Sequence, residues 1–481
     1  MTSPLNPRSP ATDATAVSPG ASPQAGGKYL LATYGCQMNE YDSNMVASML
    51  EKRGMAITEN PDEADLFVVN TCSIRGGAED KAYARVAALR FHKRQRPDVR
   101  IAVIGCMAQN HGEKIPVALE HVDYVVGPDG YGALENMIFE GQEERRARAS
   151  RGQAGGKSRD AAPVVWTEQN DFENYEGLMA RLDGSVSAHV TIMRGCNKRC
   201  TYCIVPNVRG VERSRAADEV IAEVRHIVAH GVTEVCLLGQ TVNSYRDVSG
   251  AEPVSFADLL RRLNDVEGLR RIRFTSPHPR HFDTATIRAI AECEKVCKHV
   301  HMPLQSGSTA LLKKMRRQYT RERYLEIVEE LRAAIPDVSI TTDIITGFVG
   351  ETEADYADTL SLMEAVRFDH AFMFSYSPRE GTPSFDEVET LTPEEKQSRL
   401  EGVIEAQMRH TEEKLEALVG RVEEILIESP SSRNDGEWMG KTDGFKKIIV
   451  PAAPGVEKGA YVKARIIERR GLILRGEVVT D

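Results

Sequence analysis

Met193–Pro206 reads MRGCNKRCTYCIVP, and within the eight residues from Cys196 to Cys203 three are cysteines, spaced Cys-x3-Cys-x2-Cys. An apolar run, AHVTIMRG, leads into them, so the loop leaves the end of a buried strand. Three thiolates held this closely can wrap one corner of a cubane iron–sulfur cluster, one per iron, and leave the fourth iron without a protein ligand. An open iron is a place for chemistry. Zinc competes for such a loop, but structural zinc takes four closed ligands in paired spacings, and this loop has no second pair.

The same strand–helix signal repeats around the loop. From 182 to 415 the runs AHVTIMRG, TEVCLLG, RRIRFTS, HVHMPLQ, VSITTDIITGF and HAFMFSYS alternate with amphipathic stretches such as ADEVIAEVRHIVAHG. Six such units predict an incomplete (β/α)6 barrel whose chemistry sits at the C-terminal ends of its strands. Upstream, in 28–144, YLLATYGC, DLFVVNTC and RIAVIGC alternate with helices predicted near Asp42–Arg53 and Glu79–Lys93, the pattern of a parallel α/β sheet. Cys36, Cys72 and Cys106 each close one of these runs. A single buried cysteine is usually a small hydrophobe. Parallel strands, however, bring their C-terminal ends to one edge, so these three can converge on a second cluster.

Between the two units the Gly/Arg-rich stretch 145–181 is expected to be a linker. After a long helix from Pro393, five short runs separated by turns over 418–481 predict a small antiparallel β-barrel. Residues 1–27, mostly Pro, Ser, Ala and Gly, read as a disordered tail. The fold class is therefore α/β, with three folded units.

A chain of 481 residues, 41% hydrophobic and 27% charged, has the composition of a soluble globular enzyme. No run approaches the roughly 20 apolar residues that cross a bilayer, and the first residues carry no apolar core of an export signal. A cytoplasmic protein without membrane attachment is expected, and nine cysteines, an odd number, read as reduced thiols rather than a disulfide framework. The net charge of −10 disfavours a nucleic-acid partner on average. Local basic runs differ: Arg145, Arg146, Arg148, Arg151, Lys157 and Arg159 form one, and Lys313, Lys314, Arg316, Arg317, Arg321 and Arg323 another. Each reads first as a solvated face. Lys441, Lys446 and Lys447 cluster in one predicted hairpin of the terminal barrel, which nominates that hairpin for RNA backbone contact.

With Tyr202 before its last cysteine, the loop resembles the signature of radical S-adenosylmethionine enzymes. Taken with YGCQMNEYDS, VVNTCSIR, GCMAQ, GQTVNSY, PLQSGS and GFVGET, it is similar to the methylthiotransferase family of that superfamily, over about 28–481 without the linker. The terminal barrel resembles the RNA-binding TRAM domain of these enzymes. Thr241 stands where Asn is common and Val349 where Pro is common; neither position is a cysteine of the triads.

The resemblance implies two four-iron, four-sulfur clusters, one held by Cys196, Cys200 and Cys203 and an auxiliary one held by Cys36, Cys72 and Cys106. It also implies two uses of S-adenosylmethionine: one molecule methylates a sulfur at the auxiliary cluster, and another yields a 5′-deoxyadenosyl radical. The implied reaction is methylthiolation of carbon 2 of N(6)-dimethylallyladenosine beside the anticodon of tRNA. Implied partners are the tRNA, a reducing electron donor and a sulfur donor or cluster-repair protein, with the chain itself a monomer. Threonylcarbamoyladenosine in tRNA and an aspartate of a ribosomal protein are the rival substrates within the family. A non-catalytic iron–sulfur RNA-binding sensor is the rival of another class, though it would not need an open three-cysteine loop.

Other residues are expected in lesser roles. Gly347 and Glu351 are candidates for contact with the adenosine part of S-adenosylmethionine, against an ordinary turn. Ser308 reads as a helix N-cap. Arg194, Arg209, Arg213 and Arg215 serve either anionic groups of substrate and cofactor or structural ion pairs. His278 ends the third strand without a clear role. Cys236, and Cys293 with Cys297 at i,i+4 on a predicted helix, read as core.

Overall fold

The computed structural model describes residues 27–479, apart from 74–75, 140–162, 172, 174, 176, 183 and 433. Residues 1–26 of the expected tail and the basic run Arg145–Arg159 lie outside the described residues. Strands β1 (Lys28–Thr33), β2 (Ala56–Ile57), β3 (Leu66–Thr71), β4 (Arg100–Gly105), β5 (Tyr124–Val126) and β6 (Val164–Trp166) form one parallel sheet in the order β2-β1-β3-β4-β5-β6. Every residue of β3 and β4 is buried, which is why both read as unbroken apolar runs. The chain reverses its direction of travel across the sheet between β1 and β3, and a cleft at such a switch point is where open α/β sheets bind ligands. β6 falls inside the stretch expected as a linker: three residues, Val-Val-Trp, are too few to register as a periodic element, yet they pair with β5.

In the second unit β7 (Ser187–Thr191), β10 (Glu234–Leu238) and β13 (Arg271–Phe274) form one parallel sheet, and β14 (His299–His301), β15 (Ser339–Thr346) and β16 (His370–Ser375) another. A single parallel bridge, Ile272 to Val296, joins the halves. All six expected strands are present, in chain order, as an open barrel packed by helices around one large core. Two short ribbons, β8 (Met193–Arg194) with β9 (Arg213–Ser214) and β11 (Arg246–Asp247) with β12 (Val254–Ser255), decorate its rim. The helix expected to carry Cys293 and Cys297 stops at Glu292, so Cys293 is its C-cap and Cys297 lies beyond it. Both remain buried.

Pro393–Glu416 is a long helix started by a capping box between Thr392 and Glu395. It leads to β17 (Val422–Ser431), β18 (Asn434–Thr442), β19 (Lys447–Pro451), β20 (Tyr461–Arg470) and β21 (Ile473–Val478), closed in the order β17-β18-β19-β21-β20. Four pairings are antiparallel as expected; β19 and β21 run parallel, which closes the barrel.

The β18–β19 hairpin meets the N-terminal ends of the central strands. Arg271 donates to the carbonyls of Lys441 and Glu424, both at 2.9 Å, and Arg273 to those of Asp443 and Thr442, both at 2.8 Å. Asp443 accepts the Lys298 amide, and the Phe445 ring stacks on His299 with centroids 5.0 Å apart. Lys446, itself partly buried, reaches the buried Asp369 at 2.6 Å. The hairpin nominated for RNA contact therefore plugs the bottom of the central barrel. Of its three lysines, Lys446 is spent on this docking and Lys441 on Glu428 at 2.7 Å. Among the described residues no helix is long and apolar enough to cross a membrane.

Candidate functional site

The cysteine loop starts at Gly195, whose φ of +73° and lack of a side chain are both required: a Cβ there would lie 1.8 Å from the Val211 carbonyl oxygen. The Cys196 amide donates to Gly210 O at 3.0 Å and the Cys203 amide to Cys200 O at 3.1 Å, which fixes the backbone of the loop at both ends. Tyr202 packs edge-on against Phe348 of the GFVGET turn, with centroids 6.2 Å apart. Behind the loop, Arg317 Nη1 donates to Cys200 Sγ at 3.3 Å, and its Nε donates to the Tyr319 hydroxyl at 3.2 Å. Four of the seven non-glycine residues with positive φ among the described residues lie at this rim: Ser276 after β13, Gln305 after β14, and Arg316 and Gln318 flanking Arg317. Strained backbone of this kind concentrates where a site is pre-shaped.

The other three cysteines follow adjacent strands β1, β3 and β4. Cys36 is the N-cap of the helix Gln37–Lys52, which begins five residues earlier than the periodicity suggested because a cysteine fills the capping position. Its side chain makes no capping bond and its thiol meets Asn39 Oδ1 at 3.4 Å. Cys106 opens the short helix Cys106–His111 that follows β4. A Cβ on Gly35 would come within 2.8 Å of Cys72 Cβ, so Cys72 lies against the turn that carries Cys36. Asn39 ties the two strand ends together, donating to Asn70 Oδ1 at 3.0 Å and to the Thr71 carbonyl at 2.7 Å.

Four arginines around the radical-type loop bind the first unit to the second. Asp42 accepts from Arg194 at 2.7 Å and from Arg209 at 2.9 Å, with all three side chains buried. Arg213 pairs with Asp129 at 2.8 Å and Arg215 with Glu223 at 2.6 Å; Tyr41 also donates to Glu223. All four are thus engaged in buried ion pairs. Cys106 shares a small apolar cluster with Ile204 and Val208, just past Cys203, so one short helix, Val205–Arg209, joins the two triads. A cavity of about 230 Å³ opens beside both, lined by Ser73, Tyr83, His111, Ile204 and Arg379 among others.

Burial pushes the Cys106 thiol up to about 12, opposed by Arg209 and assisted by Cys72 and Cys36. Cys203 is likewise pushed up to about 12 by burial and by Cys200, and Cys196 to about 11, chiefly by burial. Thiols so raised are poor free nucleophiles, whereas coordination to a metal deprotonates a thiol outright. The donor set fits iron–sulfur clusters in a second way. Ser73 Oγ, beside Cys72, and Arg209 Nη1 are buried without a hydrogen-bond partner among the described residues, and cluster sulfurs would accept from such donors. Among the described residues no three His, Cys, Asp or Glu side chains close on one point as a mononuclear ion requires. Thiolates of a cubane, each on its own iron, have no need to.

The remaining candidates divide. Glu351 accepts the Gly347 amide at 2.8 Å and pairs with Arg399 at 2.8 Å, so both residues brace the turn after β15, and neither that carboxylate nor that amide is unpartnered. Ser308 is an N-cap, accepting from the Leu311 amide. His278 is buried, its imidazole held far below the usual range by burial and by Arg317, and its amide bonds Asn243. Cys236 and Cys293 pack in apolar cores, as expected. Arg317 was hidden in a run of basic residues; only its contact with Cys200 sets it apart. Asn39 and Asp42 carried no signal beyond their place after Cys36.

Three family models match: "Uncharacterized protein family UPF0004" over residues 28–127, the "Radical SAM superfamily" over 190–363 and the "TRAM domain" over 416–479. A relative from Acetivibrio thermocellus is 41% identical over 453 residues, covering 94% of this chain and 91% of its own. One from Moorella thermoacetica is 42% identical over 454 residues, covering 94% and 98%. Both are named tRNA-2-methylthio-N(6)-dimethylallyladenosine synthase. Among solved structures, a radical S-adenosylmethionine methyltransferase from Kitasatospora setae matches with a TM-score of 0.52 at 16% identity over 75% of each chain, a likeness of fold.

Proposed function

This chain belongs to the methylthiotransferase family of radical S-adenosylmethionine enzymes, and on that premise we propose that it installs a methylthio group at carbon 2 of N(6)-dimethylallyladenosine beside the anticodon of tRNA. Cys196, Cys200 and Cys203 hold one cluster with an iron open to S-adenosylmethionine, and Cys36, Cys72 and Cys106 hold the auxiliary cluster. When bound, these groups supply radical chemistry at carbon 2 together with the sulfur and methyl group delivered there.

The chain's own residues position and enclose. Gly195 supplies the tight turn from which the three-cysteine loop starts. Arg317 holds Cys200 from behind. Gly347 and Glu351 serve cofactor binding by fixing the shape of the turn beside Tyr202. The terminal barrel closes the bottom of the central one, so substrate enters from the rim that carries both triads. The units are 28–144 together with strand β6 (Val164–Trp166), 182–415 and 418–481, acting as a cytoplasmic monomer with an external electron donor and a sulfur donor or cluster-repair partner.

One observation supports this reading: Cys106 packs against Ile204 and Val208, at the start of and within the short helix that follows Cys203, so the two triads lie on neighbouring segments. Nucleoside mass spectrometry of tRNA tests it. Cells lacking the protein should lose the 2-methylthio derivative and accumulate its dimethylallyl precursor. Unchanged methylthiolation would overturn the reading, and loss of a methylthiolated threonylcarbamoyladenosine instead would move it to that substrate.

A further inference from the structure

Arg209 belongs to the radical-type loop by sequence but to the other triad by contact. It ends the helix Val205–Arg209. Its Nη2 donates to Asp42 Oδ2 at 2.9 Å and approaches Asn39 Oδ1 at 3.5 Å, the same oxygen that meets the Cys36 thiol at 3.4 Å. The side chain is 2% exposed, and its Nη1 has no hydrogen-bond partner among the described residues. A buried guanidinium donor left unmade costs free energy, so such an atom is normally aimed at a group that accepts from it. Arg194, on the other oxygen of Asp42, also has an unpartnered Nη1 among the described residues, but its surroundings differ: its neighbours are Asp42, Met45 and the Tyr175 ring, with no cysteine of either triad among them.

We propose that Arg209 is a positioning residue of the auxiliary site, donating through Nη1 to the sulfurs of the cluster held by Cys36, Cys72 and Cys106 and thereby raising its reduction potential. The inference rests on the assignment of that cluster. Its physical basis is simple: reduction adds a negative charge, and a fixed cation with a hydrogen bond in a buried, weakly screened setting stabilises the more negative state. Because Arg209 stands six residues after Cys203, the loop that holds one cluster also tunes the other.

The test uses the full chain with Cys196, Cys200 and Cys203 all changed to Ala, so that only the auxiliary site loads, and reads its midpoint potential by redox titration followed by electron paramagnetic resonance. If this parent takes up no iron, the cluster assignment itself fails, and the inference with it. With a loaded parent, Arg209→Gln should move the potential to a more negative value, whereas Arg194→Gln, which breaks the same carboxylate pair, should leave it in place. Equal potentials in the parent and Arg209→Gln overturn the proposal. Should Arg209→Gln fold but hold no iron, recovery of iron in Arg209→Lys supports a cation at the cluster. Loss of iron in Arg209→Gln, Arg209→Lys and Arg194→Gln alike marks a purely structural pair and overturns it.

Discussion

Arg317 Nη1 donates to Cys200 Sγ across 3.3 Å from a side chain only 6% exposed. The arginine is held in turn by Tyr319, whose hydroxyl donates to the Leu304 carbonyl at 2.6 Å. A hydrogen bond to a charged group contributes about 1.5–3 kcal/mol, and a Cys200 thiolate on iron would be such a group. Arg317→Met should therefore lower the yield of 5′-deoxyadenosine from S-adenosylmethionine by about tenfold or more, since roughly 1.4 kcal/mol corresponds to a factor of ten. Arg317→Lys keeps the charge but not the fork, so it should recover only part of the yield. Full yield from Arg317→Met would remove the residue from the site.

The two triads should fail differently. Changing Cys196, Cys200 and Cys203 to Ala should leave about half the iron of an anaerobically reconstituted sample and no cleavage of S-adenosylmethionine. Changing Cys36, Cys72 and Cys106 should also halve the iron, yet 5′-deoxyadenosine should still form while the methylthiolated nucleoside does not. Iron analysis with chromatography of both products checks this, and loss of radical formation in a folded auxiliary variant contradicts the division.

Asp42 ties the sheet to the barrel. Burial opposes its ionisation, but Arg194 and Arg209 outweigh that and hold its carboxyl below the ordinary value. A carboxyl depressed on folding stabilises fully above its unfolded value and loses that contribution as pH falls through its folded one. Asp42→Asn leaves two buried guanidinium groups without their anion, at a cost of about 3–5 kcal/mol near neutral pH. The gap between parent and variant should narrow below about pH 4. Thermal melts of cluster-free protein across that range measure it; a gap independent of pH would place the stabilisation elsewhere.

Much of this architecture was legible because burial and chemistry coincide along the chain. β3 and β4 are buried at every position, so apolar runs ending in Cys72 and Cys106 announced both strand and site. Where structure depends on contacts distant in sequence, local pattern was silent. Arg317 and Cys200 are separated by 117 positions, and a count of basic residues cannot tell a buried cation from a solvated one. The helix at Gln37 lacks a Ser, Thr, Asp or Asn cap because its capping position holds Cys36 instead. Lysines in a hairpin read locally as a surface feature, although one of them is the tip of a plug.

That plug leads to a prediction opposite to the one that charge alone suggests. Lys446 donates to Asp369 at 2.6 Å and to Ser339 Oγ at 3.2 Å, at the starts of β16 and β15, and burial pulls its ammonium below the ordinary range while Asp369 holds it up. Lys446→Met removes one partner of a buried pair, a loss of about 3–5 kcal/mol that falls on the junction between the terminal and central barrels. Limited proteolysis should then cut the variant faster near 416–422, where the long helix hands over to β17. Phosphate contacts would behave otherwise: each one removed reduces the salt slope of tRNA binding by about one unit. In Lys446→Met that slope should stay as in the parent, whereas Lys447→Ala, which leaves the Asp369 pair in place, isolates any phosphate contact of the hairpin. A reduced slope in Lys446→Met without faster proteolysis would return the hairpin to the RNA-binding face.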